Sequence, residues 1–174
     1  MKRIIVIISC LGCTFCSPQM KLNKSKQIDI LLETPGKLNG ENDKMYTIIN
    51  NSKESYIIDP FGFIGNSYWI VDGKKIEPAD FFRGHYKRDD NELCKDDLII
   101  LNPSQKISTY INLDYYNKGI YDFSKQGNYI LNVKSKHNRQ NATLLGCDSY
   151  IKILESQGYR VLEDSIVAKI PFVK

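Results

Sequence analysis

Few side chains in this sequence could do chemistry. His85 lies in Arg83-Gly84-His85-Tyr86-Lys87-Arg88 and His137 in Lys136-His137-Asn138-Arg139, and neither belongs to a motif. Both read as solvated loop residues, with a catalytic role as the alternative. Asp89-Asp90-Asn91-Glu92 and Asp96-Asp97 gather carboxylates that could ligate calcium. They lack the Gly and the oxygen-ligand spacing of a calcium loop, so a solvated charge run is the preferred reading. The sequence holds no HExxH, no GxSxG, no Gly-rich phosphate loop and no Cys-His metal spacing, and in the body Cys94, Cys147, His85 and His137 include no close-spaced pair. The expectation is a protein that is not an enzyme and uses no metal and no cofactor. A hydrolase with an unrecognised site is the alternative.

The five cysteines say more about compartment than about catalysis. Met1-Lys2-Arg3 is a short basic region, and the apolar run from Ile4 is too short for a permanent membrane span. Residues 1–12 therefore read as a signal peptide. Leu11-Gly12-Cys13 resembles the lipobox of bacterial lipoproteins, although Cys10 stands where that motif prefers Leu. The resemblance implies lipidation at Cys13, with 13–26 as lipid attachment and spacer. Cleavage to a soluble periplasmic or secreted protein is the alternative. Cys94 and Cys147 are natural partners in an oxidising compartment. Bridging them would close a loop of about 54 residues and contribute roughly 4 kcal/mol. Two free thiols are the other reading, since spacing cannot bring two Cα atoms together. Cys16 has no assignment.

Charge narrows the partners. The chain has 174 residues, 24 Lys+Arg and 20 Asp+Glu, and setting Lys2 and Arg3 aside leaves 22 against 20. Such a balance gives no footprint for nucleic acid. With 42% hydrophobic and 25% charged residues, one globular domain at 27–174 is expected.

The elements that must position these residues are short strands. Candidates are 27–33, 44–50, 55–58, 67–71, 98–101, 107–113, 128–135 and 165–173. Ile107, Thr109, Ile111 and Leu113 share a face, as do Tyr129, Leu131 and Val133, and Ile166, Ala168, Ile170 and Phe172. Asp72-Gly73 predicts a tight hairpin turn, and Asn102-Pro103-Ser104-Gln105 a hairpin-like one. Helix signals are limited to 79–82 and 149–157, with Gly158 as the stop. Seven to eight strands with one short helix near the C-terminus predict an all-β fold, an immunoglobulin-like antiparallel β-sandwich. Gly127-Asn128-Tyr129 at a strand start fits either a tyrosine corner or a core-facing Tyr after a turn.

The stretch 48–133 resembles the N-terminal, non-catalytic domain of deuterolysin and peptidyl-Lys metalloendopeptidases, the aspzincin family. Its pieces occur in the family's order: Ile49-Asn50-Asn51-Ser52, Val71-Asp72-Gly73-Lys74-Lys75-Ile76, Phe82-Arg83-Gly84 with Tyr86-Lys87-Arg88, and Asp97 through Pro103. Ile111-Asn112-Leu113, Tyr121-Asp122-Phe123-Ser124 and Gly127-Asn128-Tyr129 follow, with Ser104 in place of a usual Gly. The resemblance implies a sandwich. It also implies a stand-alone accessory domain without peptidase activity, because neither HExxH nor its downstream Asp follows Val133.

The functional expectation is a non-enzymatic exported lipoprotein, anchored to a bacterial membrane through its N-terminal lipid, that binds an envelope or secreted protein such as a protease. A periplasmic immunity protein against a toxin is the alternative. The connection from Glu77 to Asp96 carries Phe81, Phe82, Tyr86, Lys87 and Arg88, residue types that make binding hot spots on loops. Phe81 and Phe82 packing over the sandwich edge is the competing reading.

Overall fold

The computed structural model describes residues 18–38, 45–78, 87–89, 91–113 and 121–174. Among them the chain is mostly β, with twelve strands in three sheets. One sheet joins β1 (Gln19–Lys21), β2 (Ile28–Glu33), β4 (Met45–Asn50) and β9 (Lys106–Tyr110) in that order. A second has the order β3 (Gly36–Lys37), β12 (Asp164–Val173), β10 (Tyr129–His137), β6 (Ile64–Val71) and β7 (Lys74–Ile76).

Alternation explains why these strands share one core. Ile28, Ile30 and Leu32 point inward from β2, Tyr46 and Ile48 from β4, and Tyr129, Leu131 and Val133 from β10. Trp69 of β6 is fully buried and meets the edges of Phe123 and Phe172 at centroid distances of 5.0 and 4.9 Å. Each such aromatic contact adds about 0.5–1.5 kcal/mol beyond the area buried.

The third sheet, β11 (Arg160–Val161), β5 (Tyr56–Ile58) and β8 (Ile99–Leu101), separates this core from a smaller one. All three residues of β5 are buried: Tyr56 and Ile58 face the main core, Ile57 the second. Burial on both faces accounts for an uninterrupted apolar run here in place of an alternating one. The second core is completed by α1 (Asn91–Asp97), α2 (Arg139–Ala142), a π-helical segment (Thr143–Cys147) and α3 (Asp148–Ser156). Ile151 and Leu154 form the buried side of α3.

The eight strand positions read from the sequence are occupied by strands within a few residues, but the described residues hold twelve strands where seven to eight were expected, the additional ones being the two- and three-residue β1, β3, β7 and β11. Asp72 (φ 46°) and Gly73 (φ 80°) make the tight turn between β6 and β7. The Tyr129 hydroxyl donates to the Lys125 carbonyl at 2.6 Å, the bond a tyrosine corner makes to upstream backbone. Three further expectations need correction. The turn at 102–105 does not build a hairpin, because β8 pairs with β5 whereas β9 pairs with β4, so it carries the chain from one sheet to another. The helical content also exceeds one short helix, since α1 precedes β8 and helical segments on either side of a kink at Gly146 occupy most of Arg139 to Ser156.

The third correction concerns the described part of the spacer, 18–26, which belongs to the folded domain. β1 pairs with β2, Leu22 is in the core, and Asn23 is buried. Asn23 donates to the Ile28 carbonyl at 2.7 Å and to Asp164 at 2.5 Å, and accepts from the Ile30 amide at 2.8 Å. Asp164 also receives the Ser25 amide at 3.1 Å and the Ser165 amide at 2.7 Å.

Candidate functional site

Two connections meet at one side of the sheets: the one between β7 and β8, which carries α1, and the one between β10 and β12, which carries α2, the π-helical segment and α3. A disulfide joins them, Cys94 on α1 to Cys147 at the end of the π-helical segment, with both residues fully buried. The Arg88 amide adds a bond of 2.9 Å to the Leu145 carbonyl. Gly146 is required at this junction twice over. Its φ is +100°, and a Cβ there would stand 2.1 Å from the Arg88 carbonyl oxygen.

Arg88 itself turns inward. Its guanidinium donates to both oxygens of Asp59, at 2.8 and 3.0 Å, and through Nε to Asp97 at 2.7 Å, while it lies 5.5 Å from the Phe61 ring centre. Asp59 is fully buried and Arg88 is 1% exposed. Burial opposes the positive charge, but the bonds to Asp59 and Asp97 outweigh it and hold the guanidinium pKa above its ordinary value. Asp59 also accepts the Phe61 amide at 2.9 Å.

His137 sits beside this pair, at the end of β10. Its Nε2 accepts the Asp59 amide at 2.9 Å, and its Nδ1 donates to the Leu162 carbonyl at 2.5 Å. That pairing fixes a neutral ring with the proton on Nδ1. Burial pushes the pKa down, against the opposing pull of the Leu162 carbonyl and of Asp59 and Asp164. Both ring nitrogens are therefore engaged, and the ring packs 4.8 Å from that of Phe63. The arrangement suits a structural anchor: a base needs an unengaged nitrogen within reach of substrate.

The residues proposed from sequence separate sharply in space. Cys13, Phe81, Phe82, Tyr86, His85 and Asp90 lie outside the described residues. Lys87 is exposed. Arg88 is not available to a partner, because its side chain is needed inside to neutralise Asp59. His137 is a buried strand residue where a solvated loop was expected. Asp89, Glu92 and Asp96 are exposed, whereas Asp97 bonds Arg88. Among the described residues no group of three or more His, Cys, Asp or Glu is arranged to hold a metal ion. No helix among them is long and apolar enough to cross a membrane.

What sequence reasoning missed was partly signalled. Tyr129, Leu131, Val133, Ser135 and His137 share one parity, so extending the strand by two residues turns His137 inward. Asp59 before Pro60, with Gly62 following, marks a turn, and the Asp59 carbonyl does accept the Gly62 amide at 2.9 Å. Nothing local distinguishes Arg88 from Lys87. No family model, no curated protein and no solved structure matches this chain.

Proposed function

We propose that this chain is a non-enzymatic, exported binding module, built on an immunoglobulin-like antiparallel β-sandwich and anchored by lipid on Cys13. Three features support the finer fold reading. The order β2-β4-β9 facing β12-β10-β6-β7 corresponds to A-B-E against G-F-C-C′ of such a sandwich. Trp69 is buried on the strand in the C position, and Tyr129 makes its corner bond at the start of the strand in the F position. This arrangement is also what the resemblance to the aspzincin N-terminal domain implies.

The binding reading is carried by one observation: the disulfide fastens the β7-β8 connection to the β10-β12 one, and Arg88 fastens the first of these to Asp59 between β5 and β6, so that three connections form one rim. The buried pair of Arg88 and Asp59 helps hold in shape a surface on which the Arg88 amide bonds the Leu145 carbonyl, and the preceding residues in the chain, Lys87 and Leu144, are exposed, Leu144 to 62%. A preorganised rim loses little conformational entropy when it meets a partner. The disulfide also favours an oxidising compartment, consistent with export. The partner class is an envelope or secreted protein, a protease or a toxin.

Photo-crosslinking in intact cells tests this, with a photoreactive residue at Leu144 and a control at Glu33 on the far sheet. A discrete adduct from position 144 that is lost on Lys87→Glu is the expected result. Adducts equal at both positions, or turnover of protease or glycan substrates by the purified chain, would overturn the reading.

A further inference from the structure

The outward face of the five-stranded sheet carries charge of one sign. Along β10 the outward residues are Ile130, Asn132, Lys134 and Lys136, and the register sets Lys134 between Asn66 of β6 and Val167 of β12. Lys169 of β12 stands opposite Asn132, diagonal to Lys134. Lys134, Lys136 and Lys169 are all exposed, and among the described residues none forms an ion pair. No outward position of β6, β10 or β12 is a carboxylate. The three lysines are near neighbours, two residues apart or diagonal, so with no carboxylate among these outward positions the face presents net positive charge.

Between the lysines the face mixes aliphatic and uncharged polar side chains. Ile64 and Val167 are 44% and 54% exposed, and Ile130 pairs with Ile70. Asn132 donates to the Tyr68 hydroxyl at 2.8 Å, and the Lys75 ammonium lies 5.8 Å from the Tyr68 ring centre, paired at the rim with Glu77. Exposed aliphatics interspersed with lysines on a hydrogen-bonded sheet match a protein surface of fixed shape better than a fluid bilayer.

We propose that this face docks a partner protein through an acidic surface, with carboxylates meeting Lys134, Lys136 and Lys169 around an apolar centre. The proposal rests on the binding-module reading but assigns a surface distinct from the Lys87 and Leu144 rim. Backbone-amide NMR of the purified chain, titrated with poly-L-glutamate, tests it. Expected are saturable shifts confined to β6, β10 and β12, and affinity that falls at least about tenfold between about 0.05 and 0.5 M salt. The same loss is expected in the Lys134→Glu, Lys136→Glu, Lys169→Glu variant, with binding retained in the corresponding Arg variant. Unchanged thermal unfolding of both variants shows that the positions are surface ones. Absent shifts, or shifts that persist after charge reversal, overturn the proposal. So does tighter binding, through the same lysines, to phosphatidylcholine vesicles containing one-third phosphatidylglycerol. A silent face alongside a persisting Leu144 adduct overturns this surface and leaves the module reading standing.

Discussion

The guanidinium of Arg88 makes three bonds to two carboxylates, the fully buried Asp59 and the partly exposed Asp97. Removing one member of such a pair leaves the other charged and buried, at a cost of about 3–5 kcal/mol. Arg88→Ala and Asp59→Ala are each expected to lower unfolding stability by that amount, read from urea midpoints at constant slope. Arg88→Lys is expected to recover only part, because an ammonium cannot engage both Asp59 oxygens as a planar fork does. His137 adds a pH dependence of definite sign. Its folded pKa lies below the ordinary 6.5, so below that pH the unfolded chain takes up the proton first. Its contribution is present in full above about pH 6.5 and is lost as pH falls toward the folded value. Urea unfolding at about pH 7.5 and 5.5 is expected to show lower stability in acid. His137→Gln is expected to reduce that difference whatever it does to absolute stability.

Elements impose a different kind of dependence, because the helical segments bury little without their fastening. Cys94 and Cys147 are 53 residues apart in sequence and meet in the small core of Ile57, Leu98, Ala142, Ile151 and Leu154. Replacing both cysteines by Ala is expected to cost about 2–5 kcal/mol. Hydrogen exchange locates the loss: amides of α1 and of 139–156 are expected to exchange faster, while β6, β10 and β12 stay protected. Uniform acceleration across the sheets would show instead that the two cores open as one unit. The same division explains what the sequence made legible. β2, β4 and β10 alternate over five or more residues, and a face that must be half buried leaves that period in the chain, as in Tyr129, Leu131 and Val133. The pairing of Cys94 with Cys147 was likewise open to inference from their number and compartment. α1 was illegible because Asn91-Glu92-Leu93-Cys94-Lys95-Asp96-Asp97 is nearly all polar and buries only Cys94. Its helical form depends on tertiary attachment at Cys94 and Asp97, and local pattern does not encode that. Arg88 was illegible for the same reason, since its carboxylate partner Asp59 is 29 residues away.

At the scale of the molecule, net charge conceals where charge lies. Twenty-two Lys+Arg against 20 Asp+Glu, with Lys2 and Arg3 set aside, describe a nearly neutral chain, yet one sheet face gathers Lys134, Lys136 and Lys169 without a carboxylate. The N-terminal segment changes the molecule's reach in a similar way. Folded structure is present from Gln19, so if lipid is carried on Cys13 only a handful of residues separates membrane from domain. At about 3.5 Å per extended residue a lipid on Cys13 would hold the sheets within roughly 20 Å of the bilayer and would limit partners to those near it. The folded role of 18–26 makes a prediction that separates it from a spacer. A chain beginning at Pro18 is expected to unfold as the longer one does. One beginning at Gln27 loses β1, the buried Leu22 and the Asn23 amide that bonds Asp164. Burial of a Leu contributes about 1.5–3 kcal/mol, and an abandoned buried acceptor costs about 1–3 kcal/mol. The shorter chain is therefore expected to be less stable by about 3–5 kcal/mol, measured by urea unfolding, with Asn23→Ala in the longer chain reproducing the Asp164 share alone. Equal stability of the two truncations would return 18–26 to the role of a tether and detach the bond between Asn23 and Asp164 from the energetics of the fold.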